Sequence, residues 1–168
     1  MTSTLVLGGA RSGKSRHAQA LIEAHPGRLV YIATAQALDD EMEARIARHR
    51  EDRGPRWSML EAPVDLVGGI ERAAREADAV LVDCLTLWLS NLMLADAVLQ
   101  PQFDGLCRAI ADCPRPLVLV ANEVGLGIVP DTPLGRRFRD EAGRLNQQVA
   151  TTVEHAVFVA AGLPLTLK

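Results

Sequence analysis

The run Gly8-Gly9-Ala10-Arg11-Ser12-Gly13-Lys14-Ser15 fits G-x-x-x-x-G-K-[ST] at every position. Such a loop holds polyphosphate. Its glycines let backbone amides curl around phosphate oxygens, and a helix opening at its end adds partial positive charge. Lys14 has the reach for the β- and γ-phosphates, and the Ser15 hydroxyl can ligate Mg²⁺. A chance glycine turn would match the letters but not the setting, an apolar strand before and an amphipathic helix after. Asp83 closes the apolar run Ala79-Val80-Leu81-Val82, at a strand end of the kind where α/β ligand sites form. It reads either as a strand-end turn former or, with Ser15, as the metal-binding pair of a nucleoside triphosphate site taking ATP or GTP.

Among the four histidines, His49 has the surroundings best suited to reaction. Asp40 to Arg53 has helical spacing, with Asp40 as N-cap, Glu43 as its capping-box partner and Gly54-Pro55 as the stop. On that helix Ile46 and Met42 fall on the side of His49, and Arg45 and Arg53 lie one turn to either side. Two neighbouring cations disfavour a third, which keeps the imidazole neutral and nucleophilic, and they can hold a polyphosphate beside it. A helix C-terminus works the other way and favours imidazolium. From pattern alone a solvated charged face is the plainer reading. His17, His25 and His155 fall within the loop helix, at a helix stop and at a helix–strand joint, and read as packing or capping groups.

The elements that must position these groups alternate along the chain. Strands are expected at Thr4–Leu7, Leu29–Ala33, Trp57–Glu61, Ala79–Asp83, Leu117–Ala121, Ala156–Ala160 and Leu165–Leu167. Between them the spacing predicts helices over Lys14–Ala24, Asp40–Arg53, Val64–Glu76 (interrupted at Gly68-Gly69), Leu85–Ala97, Phe103–Asp112 and Arg136–Val153. Gln100-Pro101 reads as a linker and 123–135 as a long loop shaped by glycine and proline, with 122–130 either lining the site at its strand's end or serving only as a connection. Continuously apolar strands separated by helices mean a mostly parallel sheet covered on both faces.

The 168 residues suit one domain spanning 1–168, and 48% hydrophobic with 23% charged is an ordinary globular mixture. A formal charge of −3 supplies no basic field, so nucleic acid is not an expected partner. Three cysteines without a C-x-x-C pair argue against a disulfide framework and a structural zinc site, and fit reduced thiols in a cytoplasmic protein. No apolar run of about 18 residues is present, so no membrane span is expected.

Taken together, Gly8 through Arg16, Tyr31-Ile32-Ala33-Thr34-Ala35, Asp39-Asp40-Glu41-Met42, Arg45-Ile46, His49 and Trp57 form a recognisable set. Glu61-Ala62-Pro63, the stretch from Asn122 to Pro130, Phe138-Arg139-Asp140 and Ala142 to Gln147 extend it. Over essentially its whole length the chain resembles the bifunctional adenosylcobinamide kinase / adenosylcobinamide-phosphate guanylyltransferase family of cobalamin biosynthesis. The resemblance implies an α/β P-loop NTPase of RecA-like fold and a homotrimer whose site is shared between neighbours. It implies two reactions: phosphorylation of adenosylcobinamide by ATP or GTP, then GMP transfer from GTP to adenosylcobinamide phosphate through a guanylylated histidine. His49 matches that catalytic histidine. The P-loop, Ala33, Thr34, Ala35, Arg50, Glu51, Asp52, Arg53, Glu61 and Asp83 match the nucleotide-contacting segments. The competing readings are a small-molecule kinase lacking the second activity and a nucleotide-operated switch. Asn122-Glu123-Val124-Gly125 lacks the Lys and Asp of an N-K-x-D guanine reader, which weighs against the switch.

Overall fold

A computed structural model describes residues 2–35 and 54–168. The helix expected from Asp40 to Arg53, with His49, Arg50, Glu51, Asp52 and Arg53, lies outside the described residues. The strands are β1 (Ser3–Gly8), β2 (Leu29–Ala33), β3 (Trp57–Glu61), β4 (Ala79–Asp83), β5 (Leu117–Asn122), β6 (His155–Ala160) and β7 (Leu163–Thr166). They form one sheet in the order β3-β2-β4-β5-β1-β6-β7. Every pairing is parallel except β6 with β7. The helices are α1 (Lys14–Glu23), α2 (Leu66–Glu76), α3 (Leu85–Leu94), α4 (Leu99–Asp112) and α5 (Pro133–Thr152).

The strands β1, β2, β4 and β5 are mostly apolar because both faces of the sheet are buried there, whereas β3, β6 and β7 toward its edges are more exposed. In β1, Leu5 and Leu7 enter the core under α2–α5, while Val6 turns to the opposite core under α1. In β4, Val80 and Val82 take the first face and Leu81 the second. In β5, Leu117, Leu119 and Ala121 oppose Val118 and Val120 in the same way. The larger core centres on Trp88 and Phe103, whose ring centroids lie 6.3 Å apart, and the Trp88 indole donates to Val64 O at 2.8 Å.

Four expected helix boundaries move by two residues or more. Gly68-Gly69 does not interrupt α2, which begins at Leu66 behind an N-cap, the Asp65 carboxylate accepting from the Gly68 amide at 3.0 Å. Gly69 is there for close packing, since a Cβ on it would stand 2.8 Å from the Ala62 Cβ. α3 stops at Leu94 rather than Ala97: Asp96 turns left-handed (φ 51°), and the Ala97 amide returns to Leu92 O. α4 begins at Leu99, so Gln100-Pro101 is its first turn and not a linker; proline is tolerated there because first-turn amides lack intrahelical acceptors. α5 begins at Pro133, capped by the Thr132 hydroxyl on the Gly135 amide at 3.1 Å.

The Gly69 contact gives a first prediction. Gly69→Ala raises helix propensity by about 1 kcal/mol, but it drives a methyl into another methyl carried on backbone, which costs about 1–3 kcal/mol. Urea unfolding is expected to show a net loss of stability of about 1 kcal/mol; a more stable variant contradicts this packing account.

Candidate nucleotide site

The phosphate loop is built from the end of β1 and the start of α1. Gly8 O accepts from the Glu123 amide at 3.0 Å, the Ser12 amide donates to Gly9 O at 3.3 Å, and Ser12 Oγ accepts from the Lys14 amide at 3.4 Å. Gly13 caps α1 at φ +93°, a conformation open to glycine, and contributes no capping side chain. With no acidic residue in its first turn, α1 directs its positive pole into the loop. The β6–β7 turn braces the loop from the other end of the chain, the Gly162 amide donating to Ser12 O at 2.8 Å. Lys14 is half-buried and its Nζ donates to Gly9 O at 3.1 Å, which folds the ammonium over the loop.

The resulting cleft, about 860 Å³, is lined by Ala10, Arg11, Ser12, Gly13, Lys14, Ser15, Arg16, Asn122, Ala161 and Gly162. Three of these are cations and none is an acid, which suits a polyphosphate. Arg16, Ala161 and Gly162 were not among the expected site residues. Their signal is weak in the sequence, a residue just past the motif and a small turn between two terminal apolar runs.

A second row of expected residues lies along the same carboxyl edge. Glu61, Ala33 and Asp83 are register partners on β3, β2 and β4, and Asp83 in turn pairs with Val120 of β5. Asp83 is half-buried, and β5 separates its strand from β1, two strand spacings or roughly 10 Å. Glu61 is exposed and four spacings away, roughly 19 Å, so the fold does not bring it onto the P-loop.

Thr34 is fully buried, and its hydroxyl is occupied by the backbone after Asp83, donating to Cys84 O at 2.7 Å and accepting from the Cys84 amide at 2.8 Å. Its side chain therefore locks β2 to β4 at the edge. Asn91 of α3 adds to the lock, its amide donating to Thr34 O and Pro63 O, each at 2.8 Å. Thr86 accepts from the Asn122 amide at 2.7 Å, and Asn146 of α5 donates to Asn122 O at 3.3 Å. These crosslinks fix where Asp83 and Asn122 stand relative to the P-loop. Burial, and then the charge of Asp83, push the Cys84 thiol up from its ordinary value. A smaller cavity of about 450 Å³ between α2 and α4 shares no residue with this cleft.

The sequence profile of cobinamide kinase / cobinamide phosphate guanyltransferase, the CobU family, matches residues 4–167. The bifunctional adenosylcobalamin biosynthesis protein CobP of Pseudomonas aeruginosa is 48% identical over 169 residues, which cover 98% of this chain and 96% of that protein. The proteins called CobU from Salmonella typhimurium and Escherichia coli are 41% and 40% identical, with 98% of both partners covered in each case. Among solved structures, the VirB11 ATPase of the Brucella suis type IV secretion system superposes with a TM-score of 0.51 at 14% identity, over 99% of this chain and 48% of the ATPase. This chain thus spans about half of that ATPase. A KaiC-like protein from Pyrococcus horikoshii gives a TM-score of 0.56 at 12% identity, over 94% of this chain and 71% of its own. At those identities the likeness shows the fold, a RecA-like P-loop α/β sheet. From the full-length match and the identities above, the chain belongs to the CobU family of cobinamide kinases / cobinamide phosphate guanyltransferases.

Proposed function

We infer that one domain over residues 1–168 carries both activities of its family, cobinamide kinase and cobinamide phosphate guanylyltransferase, in adenosylcobalamin biosynthesis. The observation that carries this reading is a cationic P-loop cleft on a chain that matches the family end to end. In the first reaction the hydroxyl oxygen of the aminopropanol arm of adenosylcobinamide attacks the γ-phosphorus of ATP or GTP. The hydroxyl proton is lost and the nucleoside diphosphate leaves. The loop amides and Lys14 hold the charge that gathers on the transferred group and on the leaving β-phosphate.

In the second reaction the proposed nucleophile is His49, outside the described residues. An imidazole nitrogen attacks the α-phosphorus of GTP, pyrophosphate leaves and the ring gives up a proton. A phosphate oxygen of adenosylcobinamide phosphate then displaces the histidine, giving adenosylcobinamide-GDP and restoring the ring. Dividing one displacement in two is the gain of covalent catalysis. Arg50, Glu51, Asp52 and Arg53 on the same segment, with Ala33, Thr34, Ala35 and Glu61, are assigned to the nucleotide. Thr34 serves by fixing the edge, and Glu61 touches only a part of the ligand far from the P-loop.

Mg²⁺ fits the donors present: the exposed Ser15 hydroxyl on the cleft wall and the half-buried Asp83 carboxylate at the end of β4, two strands from β1, are hard oxygen donors. Among the described residues no group of three His, Cys, Asp or Glu gathers, and one carboxylate plus one hydroxyl suits an ion shared with substrate phosphates. Mg²⁺ bound there neutralises phosphate charge. No described helix is long and apolar enough to cross a membrane. We assign the protein to the cytoplasm on its unpaired cysteine pattern, and to a homotrimer following the family resemblance.

The reading is checked by incubating the purified protein with adenosylcobinamide and either ATP or GTP, and following the corrinoid by mass spectrometry. A phosphate adduct is expected with a triphosphate donor, and a further GMP increment only with GTP. No mass change in the corrinoid with either nucleotide overturns the assignment.

A further inference from the structure

The loop between β5 and α5 starts at the phosphate cleft and displays aliphatic side chains to solvent. Asn122 lines the cleft, and the next residue is tied to the first glycine of the P-loop by the Glu123 amide on Gly8 O. The two ends of the loop are pinned. The Glu123 carboxylate accepts from the Gly125 amide at 2.6 Å, and the Arg136 guanidinium donates to Pro130 O at 3.0 Å and Asp131 O at 2.9 Å. Yet Ile128 is 98% exposed, Leu126 82% and Val129 59%. A loop hydrogen-bonded at both of its ends, with large aliphatic groups between them pointing outward, has the form of a contact surface.

We propose that this loop is the docking platform for the corrinoid acceptor, with Leu126 and Ile128 packing against the macrocycle. The inference rests on the cobinamide activity argued above. The kinase step brings the acceptor's arm to phosphates held by Gly8–Ser15, so the bulk of the corrinoid must rest on protein beside that cleft. The β5–α5 loop is rooted there. The cavity between α2 and α4 shares no residue with the cleft and cannot present the arm to it. The chemistry also matches: a corrin ring presents methyl-fringed apolar edges and carboxamide arms, and the loop offers aliphatic side chains on exposed backbone. A second copy of this chain is the other occupant such a face could take, and the experiment separates the two.

The test compares wild type with the double variant Leu126→Asn/Ile128→Asn, both changes lying at exposed positions where folding does not depend on them. Kinase kinetics are measured against adenosylcobinamide and against the nucleotide, with sedimentation run in parallel. The expected result is a KM for the corrinoid raised roughly tenfold, from loss of two apolar contacts, with the nucleotide KM within about twofold and sedimentation unaltered. The conservative pair Leu126→Met/Ile128→Val is expected to keep the wild-type corrinoid KM. An unchanged corrinoid KM in the Asn variant overturns the proposal, and so does dissociation of the assembly, which assigns the face to a second copy. If wild type phosphorylates adenosylcobinamide and the Asn variant matches it, the platform alone fails; if wild type does not, the activity reading fails with it.

Discussion

Lys14→Ala is expected to lower kcat/KM for both phosphoryl and guanylyl transfer by roughly 10²–10³, in the range of removing one preorganised donor from developing charge. The effect falls on both reactions because a single cationic cleft forms on the P-loop, and both donors are triphosphates. Lys14 is half-buried with its ammonium over the loop, whereas Arg11 and Arg16 are exposed, so neither is held where Lys14 is. Alanine favours the first turn of α1, so the variant should unfold at a urea midpoint near that of wild type. Initial rates of cobinamide phosphate formation and of GMP incorporation, measured on the same preparation, decide the matter. A fully retained kinase rate contradicts the assignment of the loop as the polyphosphate grip.

What could be read in the residues, and what could not, follows from how local each signal is. β1, β4 and β5 announce themselves because both faces are buried, so Leu5-Val6-Leu7 or Leu117-Val118-Leu119 need no polar alternation. β7 is an exposed antiparallel edge strand that begins two residues before the expected Leu165 and includes Pro164, tolerable only where no further strand needs its amide. The start of α4 is hidden behind Pro101, and the continuity of α2 behind Gly68-Gly69, because local propensity says nothing of what packs above. The P-loop is legible since one contiguous run supplies its parts. The groups that hold the rest of the edge in place are not. Asn91 joins Thr34 to Pro63, Thr86 receives Asn122, and Gly162 braces Ser12, each link closing only when the sheet order brings distant segments together. Thr34 shows the difference most plainly: the family resemblance places it in a run expected to contact nucleotide, but its hydroxyl is consumed in crosslinking β2 to Cys84.

His49→Ala is expected to abolish guanylylation of the protein and formation of adenosylcobinamide-GDP while leaving adenosylcobinamide phosphorylation measurable. The asymmetry follows from the chemistry. Phosphoryl transfer to a hydroxyl goes directly from donor to acceptor and asks mainly for positioning and charge stabilisation, which the P-loop supplies. Transfer through a phosphoramidate needs a nitrogen that becomes bonded to phosphorus, and removing that atom removes the intermediate rather than weakening a contact. The experiment is labelling with GTP carrying isotope in the α-phosphate, followed by acid and alkali treatment and location of the modified residue by mass spectrometry. The label should be acid-labile and base-stable, as a phosphoramidate is, and should sit on His49. Lys14→Ala should depress labelling together with the kinase, whereas His49→Ala should separate the two. An alanine variant that still takes up label at the wild-type rate assigns the nucleophile elsewhere, with His17, His25 and His155 as the remaining imidazoles. His17 would be the first to test, since it lies one turn into α1 and its amide donates to Gly13 O at 3.0 Å.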